Sequence, residues 1–259
     1  MPHTVFIADL HLKLQDRRTL QSAAAFFESL AGSTDQLFIL GDLVEYWIGD
    51  DAYDGKLDPV FGPLSKLQSN GCQTYLMHGN RDFLLGEHFV ESLGLTLIRD
   101  DQFILDTGGH KVLLMHGDTL CTDDVDYQAM RRQLRSTHWQ KDFLAKTIEE
   151  RLNKAQQLRN QSVAETNRKS DEICDVNQRT VEETMTTAGV MMLLHGHTHR
   201  PAHHQFKLPA NKTGKVKSSD AHRWVLGDWQ ATDIIYAVSN DKPGSDNDLP
   251  VHLAKWAIS

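Results

Sequence analysis

Five short apolar runs are spread along the chain, and each of them leads into Gly, Asp or His: TVFIADL, QLFILGDL, QTYLMHGN, KVLLMHGD and VMMLLHGH. Runs of this length, rich in Val, Ile, Leu, Phe and Met, are typical of strands buried in a sheet. Helical patterns lie between the early runs, in RRTLQSAAAFFESLA and PVFGPLSKLQSNG. Strands that alternate with helices predict an α/β fold with a sheet covered on both faces.

The C-terminal part has a different pattern. HRWVLGDW, DIIYAVSN and VHLAKWAI alternate apolar and polar residues, which indicates strands with one exposed face and antiparallel pairing. We expect these strands to add to a second sheet.

Residues from about 126 to 189 contain no strand pattern and no proline, and they are rich in Gln, Arg, Glu and Ala. This composition predicts successive helices. A chain of 259 residues that is 40% hydrophobic can bury a substantial core. We therefore predict a single domain over residues 1–259, with a core of 1–125 and 190–259 and a helical insertion at about 126–189.

Charge is divided unevenly between the core and the insertion. The chain carries a net charge of −8, which argues against nucleic acid as a partner. Residues 128–169 hold ten Lys or Arg against four Asp or Glu, so this segment carries +6 and the remainder −14. The basic segment suits an anionic substrate or an anionic lipid surface, although a solvated helix face is the common alternative.

No apolar run is long enough to cross a bilayer. The N-terminus lacks the basic start of a signal peptide. We therefore expect the protein to stay in the cytoplasm.

Metal-binding side chains follow the predicted core strands. In open α/β sheets, ligands gather at the carboxyl ends of the strands, so these side chains are expected to lie along one edge. Their oxygen and imidazole atoms suit manganese, magnesium, iron or zinc. The set is too large for one ion and suits two ions that share a carboxylate, for which Asp42 is the natural bridge. The expected ligands are Asp9, His11, Asp42, Asn80, His116, His195 and His197.

The order of these residues resembles the pattern of the calcineurin-like metallophosphoesterases, which is D-x-H, G-D, G-N, H and G-H-x-H. We assign the last part to His195 and His197 around Gly196, and we expect His199 to have a supporting or structural role. The resemblance implies a four-layer αββα sandwich with two metal ions, here two Mn²⁺. It gives one ion Asp9, His11, Asp42 and His197, and the other Asp42, Asn80, His116 and His195.

Arg81 departs from the family pattern, since most members have a histidine after the asparagine that protonates the leaving group. A phosphate leaving group needs no such proton, because its second pKa is near 6. It needs its charge neutralised, and the guanidinium fork of arginine suits a phosphate. Arg81 therefore favours cleavage of a pyrophosphate. The alternative is an ion pair with Asp82 or another neighbour.

Longer motifs narrow the resemblance. GDLVEYWIGDD, HGNRDFLLG, HGDTLCTDD, HGHTHRP and LGDW are similar to those of the lipid A pathway pyrophosphatases that act on UDP-2,3-diacylglucosamine. The resemblance implies attack of water at the α-phosphorus, which gives UMP and 2,3-diacylglucosamine 1-phosphate. It also implies a peripheral location on the cytoplasmic face of the inner membrane.

The same resemblance assigns residues to the reaction. It implies catalytic roles for Asp42, Asn80, Arg81 and His195. It implies substrate contacts from Asn80, Arg81, Asp124, Ser162, Thr166, Lys169 and His195. Five apolar residues of the insertion are candidates for an acyl-chain channel, although packing on the core explains each of them as well: Trp139, Phe143, Leu144, Ile148 and Leu152.

Two other functions remain open. A soluble dinuclear-metal phosphodiesterase or pyrophosphatase would act on nucleotides without lipid chains. A scaffold protein that has lost its metal ions is the non-catalytic alternative, but every ligand position of the pattern is filled here.

Overall fold

The computed structural model describes residues 3–166, 168–169, 173–209, 219–229, 233–240 and 249–257. Within these residues, two β-sheets pack face to face through a core that includes Phe6, Phe38, Leu114, Leu194 and Trp224. Helices cover the outer face of each sheet. The arrangement has four layers, so the predicted αββα sandwich is confirmed.

The first sheet has six strands: β1 His3–Ile7, β2 Gln36–Leu40, β3 Gln73–Met77, β4 Leu95–Ile98, β10 Asp233–Asn240 and β11 Val251–Ala257. Their order is β11-β10-β1-β2-β3-β4. The strands β1 to β4 are parallel, and β10 and β11 are antiparallel to their neighbours. Its outer face packs against α1 Arg17–Leu30, α2 Asp58–Ser69 and α3 Glu87–Ser92.

The second sheet has five strands: β5 Phe103–Thr107, β6 His110–Met115, β7 Met192–His195, β8 Ala202–Leu208 and β9 Ser219–Val225. Their order is β5-β6-β7-β9-β8. The central strands β6, β7 and β9 are parallel, and the edge strands are antiparallel. The helix α7 Gln178–Ala188 covers the outer face through Val181 and Met185.

The five predicted core strands form β1, β2, β3, β6 and β7. The prediction for the C-terminal strands is wrong in part, because β10 and β11 extend the first sheet beside β1. The remaining strand, β9, belongs to the second sheet and runs parallel to β7. Local alternation showed that these segments are strands, but it carries no information about which distant strand each one pairs with.

Three helices form a cap beside the strand ends: α4 Val125–Leu134, α5 Thr137–Leu144 and α6 Ile148–Thr166. The cap is defined here as these three helices. Asp124 and Ser136 are the N-cap residues of α4 and α5. The side chain of each accepts a hydrogen bond from a backbone N–H of the first turn. The helix α7 lies inside the predicted insertion but packs on the second sheet. The division of the chain into core and insertion stays a prediction.

None of the helices in the described part of the chain combines the length and the apolar character needed to cross a membrane.

Candidate metal centre

The loops that follow β1 and β2 run side by side and are joined by backbone hydrogen bonds. The N–H of Asp9 donates to the carbonyl of Gly41 at 3.1 Å, and the N–H of His11 donates to the carbonyl of Asp42 at 2.9 Å. The side chains of Asp9, Asp42 and His116 are buried almost completely, and that of His11 is 5% exposed. Parallel strands therefore bring residues far apart in sequence into one buried cluster, as predicted.

One half of the cluster is formed by Asp9, His11 and His199. The Nε2 atoms of the two histidines lie 3.1 Å apart. The Nε2 of His199 is also 3.5 Å from Oδ1 of Asp9. One ligand atom from each of the three residues can be chosen so that all lie within 4.8 Å of one another.

The other half is formed by Asn80, His116 and His197. Oδ1 of Asn80 lies 2.9 Å from Nε2 of His116 and 2.9 Å from Nδ1 of His197. The other ring nitrogen of His116 donates to the carbonyl of Leu40 at 2.8 Å, which fixes the orientation of the ring.

Asp42 lies between the two halves. Its Oδ2 is 3.9 Å from Nδ1 of His11, and its Oδ1 is 3.8 Å from Nε2 of His116. The two oxygens of one carboxylate therefore face different halves, which is the arrangement that a bridging ligand requires.

Backbone conformation marks the same residues. The non-glycine residues with positive φ in the described part of the chain are Asp9, His11, Asp42, His197 and His199. Such conformations are strained for residues with a Cβ, and they concentrate at functional sites. All five belong to the cluster, and His195 is not among them.

Two glycines allow the loops to approach this closely. A Cβ at Gly79 would lie 2.1 Å from Oδ1 of Asp42, and one at Gly196 would lie 2.4 Å from Oδ2 of Asp9. Any side chain at these positions would displace the carboxylates, so both positions require glycine.

The assignment of His195 as a metal ligand, catalytic residue and substrate contact is wrong in this structure. His195 is the last residue of β7 and is fully buried. Its Nδ1–H donates to the carbonyl of Gly196 at 2.8 Å, and its Nε2 accepts from Nη1 of Arg223 at 3.0 Å. A guanidinium therefore occupies the position that a cation would need, and neither nitrogen is available.

His199 takes the place predicted for His197, and His197 takes the place predicted for His195. The G-H-x-H pattern also fits Gly196, His197, Thr198 and His199, and the geometry supports this alignment. His197 therefore belongs with Asn80 and His116, and His199 belongs with Asp9 and His11. The predicted position of the G-H-x-H motif, at His195 and His197, is therefore two residues too early.

Electrostatics at the cluster depend on burial and on close charges. Burial raises the pKa of Asp42 to about 7. Burial also raises the pKa of Asp9, but the contact with His199 and the charges of the nearby histidines outweigh it and bring this pKa to about 2. Burial lowers the pKa of His197 to about 4, so this imidazole is neutral near pH 7 and offers a lone pair.

The donor set fits divalent cations. Oδ1 of Asp9 is buried and has no hydrogen-bond partner. Buried polar atoms without partners are costly, and a cation would compensate them. Carboxylate, amide and imidazole atoms without a thiolate suit manganese, magnesium, iron or zinc.

Arg81 lies at the edge of the cluster. Its backbone N–H donates to Oδ1 of Asp42 at 2.8 Å, and its guanidinium lines the adjacent cavity. The alternative of an ion pair holds for another neighbour, because Nε of Arg81 lies 4.0 Å from Oδ2 of Asp42. Asp82 is not that partner. The Asp82 carboxylate instead accepts the N–H groups of Leu43 and Gly79, at 2.7 Å each. Asp82 therefore joins two loops of the cluster, a role that the sequence did not reveal.

A cavity opens beside Asn80 and Arg81, between the core and the cap. Arg159 and Ser162 of α6 also line it. The rest of its wall is largely apolar: Trp47, Phe83, Leu84, Met130, Leu134, Trp139, Phe143 and Leu158. A polar end beside the cluster and an apolar remainder suit a ligand with an anionic group and hydrocarbon chains.

Two of the five apolar candidates line this cavity. Trp139 and Phe143 lie in its wall with their rings stacked 4.8 Å apart. Leu144, Ile148 and Leu152 line other surface grooves, so their part in an acyl-chain channel stays a prediction.

Other predicted substrate contacts lie on the cap. Ser162 lines the cavity. Nζ of Lys169 is 2.6 Å from Oδ1 of Asp124, so these two residues bind each other. Thr166 is the last residue of α6, and its side chain lies outside the described part of the chain.

Arginines of α4 bind the loops that carry the cluster. Nε of Arg131 donates to Asp118 at 2.7 Å, two residues after His116. Nη2 of Arg135 donates to the carbonyl of Gly79 at 2.9 Å, directly before Asn80. The cap is therefore connected to the loops of the second half.

Arginines of α6 bind the chain segment that follows Asp42. Nε of Arg159 lies 2.5 Å from Oε1 of Glu45. Arg151 is buried, and its Nη1 donates to the carbonyl of Ile48 and to Asp51, at 2.7 Å each. Much of the basic charge counted in the insertion is thus directed inward, which leaves less of it to face a lipid surface.

The fold and the cluster define a metallophosphoesterase. The sequence profile of the calcineurin-like phosphoesterase family matches residues 2–201. The chain is 42% identical over 239 residues to the UDP-2,3-diacylglucosamine hydrolase of Yersinia enterocolitica, which covers 92% of this chain and 96% of that protein. The protein of the same name from Serratia proteamaculans gives the same identity and coverage. Within the calcineurin-like phosphoesterases, the chain therefore belongs to the family of the UDP-2,3-diacylglucosamine hydrolases.

Proposed function

We propose that this protein hydrolyses the pyrophosphate bond of UDP-2,3-diacylglucosamine. Water attacks the α-phosphorus, and its oxygen becomes part of UMP. The bond from the α-phosphorus to the bridging oxygen breaks, and this oxygen leaves with 2,3-diacylglucosamine 1-phosphate. The observation that carries the proposal is the metal-type cluster next to a cavity with a basic end and an apolar wall.

The metal centre of the proposal has two halves that share Asp42. The chemistry supplied by two divalent cations, which we propose to be Mn²⁺, is neutralisation of phosphoryl oxygens and activation of water. The first half consists of Asp9, His11, Asp42 and His199. The second consists of Asp42, Asn80, His116 and His197. The distances of 2.9–3.9 Å between their ligand atoms support this set.

Arg81 is proposed to bind the departing phosphate. It lines the cavity directly beside Asn80. Arg159 lies close enough to Arg81 for the charge of Arg81 to lower its pKa, after the larger effect of burial. Glu45 also lines the cavity and pairs with Arg159 at 2.5 Å, so Arg81 supplies the guanidinium for a phosphate at this end. Ser162, Asp124, Lys169 and Thr166 remain proposed substrate contacts.

We also propose a peripheral location on the cytoplasmic face of the inner membrane. The exposed apolar side chains of Leu14, Tyr46, Ile148 and Leu152 surround a groove between α6 and the core, and this surface supports contact with a lipid interface. Replacement of Ile148 and Leu152 by Glu should reduce co-sedimentation with vesicles that contain anionic lipid. Ile104→Glu is the control, because Ile104 is equally exposed on the edge strand β5.

The reaction is tested by UMP release from UDP-2,3-diacylglucosamine in the presence of Mn²⁺. Asp42→Ala should reduce release to background, because the bridging carboxylate is lost. A nucleotide sugar without acyl chains is the comparison substrate and should be a poor one. Equal turnover of both substrates would instead support a soluble nucleotide pyrophosphatase.

A further inference from the structure

A carboxylate outside the proposed ligand set lies behind His199. The Oδ2 of Asp228 is 3.5 Å from Nδ1 of His199, on the side of the ring opposite to His11. The Nε2 of the same ring points to Asp9 and to His11. His199 therefore lies between Asp228 and the position of the first cation.

The loop that carries Asp228 is fixed on both sides. The N–H of Leu226 donates to the carbonyl of His195 at 2.8 Å, and the N–H of Gly227 donates to that of Ile235 at 3.3 Å. Trp229 is buried, with its ring 5.2 Å from that of Phe26 in α1. The backbone at Asp228 is thus held in place, which keeps its short side chain beside His199.

The second half of the centre has weaker negative charge behind its histidines. The ring of His116 is oriented by a neutral backbone carbonyl. The Asp118 carboxylate, whose charge acts on His116 and His197, is bound by Nε of Arg131 at 2.7 Å and by the hydroxyl of Tyr127 at 2.8 Å. Arg131 therefore offsets the charge of this carboxylate and reduces the attraction of this half for a metal ion.

We propose that Asp228 is a positioning residue that orients His199 and makes the first half of the centre the tighter of the two cation sites. The Asp228 carboxylate, 3.5 Å from Nδ1 of His199, attracts a proton to this nitrogen, which leaves the Nε2 lone pair directed at the cation and makes the imidazole more basic. Glu45 lies 3.7 Å from Nδ1 of His11, the other histidine of this half. It also forms an ion pair with Arg159, which reduces its effect on His11. The inference rests on the metal centre of the proposed function.

The test is a calorimetric titration of the metal-free full-length protein with Mn²⁺, without substrate. The wild type should bind two ions with unequal affinity. Asp228→Asn should weaken the tighter step by roughly 10–100-fold, the usual effect of removing a carboxylate behind a ligating histidine. The weaker step should stay unchanged, and Asp228→Glu should restore part of the loss.

Controls separate positioning from folding. Asp220→Asn removes an exposed carboxylate that pairs with Lys207 on the same sheet, and it should change neither step. The unfolding midpoint of the metal-free Asp228→Asn variant should equal that of the wild type. An unchanged tighter step, an equal loss in both steps, or a lower metal-free midpoint would overturn the inference.

The result is independent of the substrate. If the wild type binds two ions unequally but does not hydrolyse UDP-2,3-diacylglucosamine, the proposed reaction fails and the role of Asp228 stands. If the wild type binds fewer than two ions, the proposed centre fails and the inference fails with it.

Discussion

The strand-end loops and the cap are built in different ways. The loops hold their functional side chains by strained backbone and by close approach, with five positive φ angles at the cluster and no room for a Cβ at Gly79 or Gly196. The cap buries few apolar side chains, and arginines attach it to the core. The conformation of the loops depends on the backbone, whereas the position of the cap depends on long polar side chains.

This difference indicates that the loops serve the reaction and the cap serves substrate recognition. Backbone geometry tolerates little change, so it suits the cluster, whose ligand atoms must be placed within fractions of an ångström. Side-chain contacts between helices tolerate more variation, so the cap suits the recognition of flexible hydrocarbon chains. Substitutions in the loops should therefore affect the reaction most, and substitutions in the cap should affect stability and substrate choice.

The largest contrast is expected between two histidines of one motif. His199→Gln should remove one bound ion and lower hydrolysis by roughly 10³-fold, the scale of losing one electrostatic group of an active site. His195→Gln should retain two ions, because His195 contacts Arg223 and Gly196 and not the cluster. Metal analysis together with UMP release measures both. Loss of an ion from the His195 variant alone would restore the original alignment.

Arg81→Gln should have the next largest effect, and it should depend on the leaving group. Cleavage of the pyrophosphate should fall roughly 100-fold, because the departing phosphate loses its guanidinium partner. Cleavage of an activated aryl phosphodiester should fall much less, since its leaving group carries no second phosphate. Steady-state rates on the two substrates decide the matter, and equal losses would contradict the proposed role.

Arg151→Met should lower the free energy of unfolding by about 2 kcal/mol, because three hydrogen bonds from a charged donor are lost, one to the carbonyl of Ile48 and two to Asp51. Urea unfolding followed by far-UV circular dichroism is the measurement. Arg132→Met, at an exposed position of α4, is the matched control and should change little. Equal effects of the two substitutions would mean that Arg151 does not hold the cap.

The smallest effect concerns pH. Burial raises the pKa of Asp118, but the charges of His116 and Arg131 outweigh it and hold this pKa well below its usual 3.8. A depressed pKa stabilises the fold at pH values above 3.8, and this contribution is lost as pH falls through the folded value. Between pH 5 and 2, the wild type should lose stability more steeply than Asp118→Asn in urea unfolding. Parallel slopes would contradict the assignment.

The sequence located most of the cluster because parallel strands align their carboxyl ends. Asp9, Asp42, Asn80 and His116 each follow an apolar run, and the structure brings them together. The same rule could not separate His195 from His199, because HGHTH offers an imidazole at every second position. Only the backbone shows that His195 still belongs to β7, whereas His199 lies beyond the turn with a positive φ.

Other features depend on contacts between distant segments. The strand β8 has mostly exposed polar side chains, so it lacks the apolar run of a core strand. The pairing of β10 with β1 joins residues more than two hundred positions apart. The charge count found the basic insertion, but charge alone does not show that Arg131, Arg135 and Arg151 point toward the core.

The most direct test of the proposed reaction follows oxygen from water into product. Hydrolysis of UDP-2,3-diacylglucosamine in oxygen-18 water with Mn²⁺ can be followed by phosphorus NMR. The account predicts that the isotope appears on the phosphorus of UMP and that 2,3-diacylglucosamine 1-phosphate stays unlabelled. Isotope on the sugar phosphate, or no cleavage of this substrate by the metal-loaded protein, would contradict it.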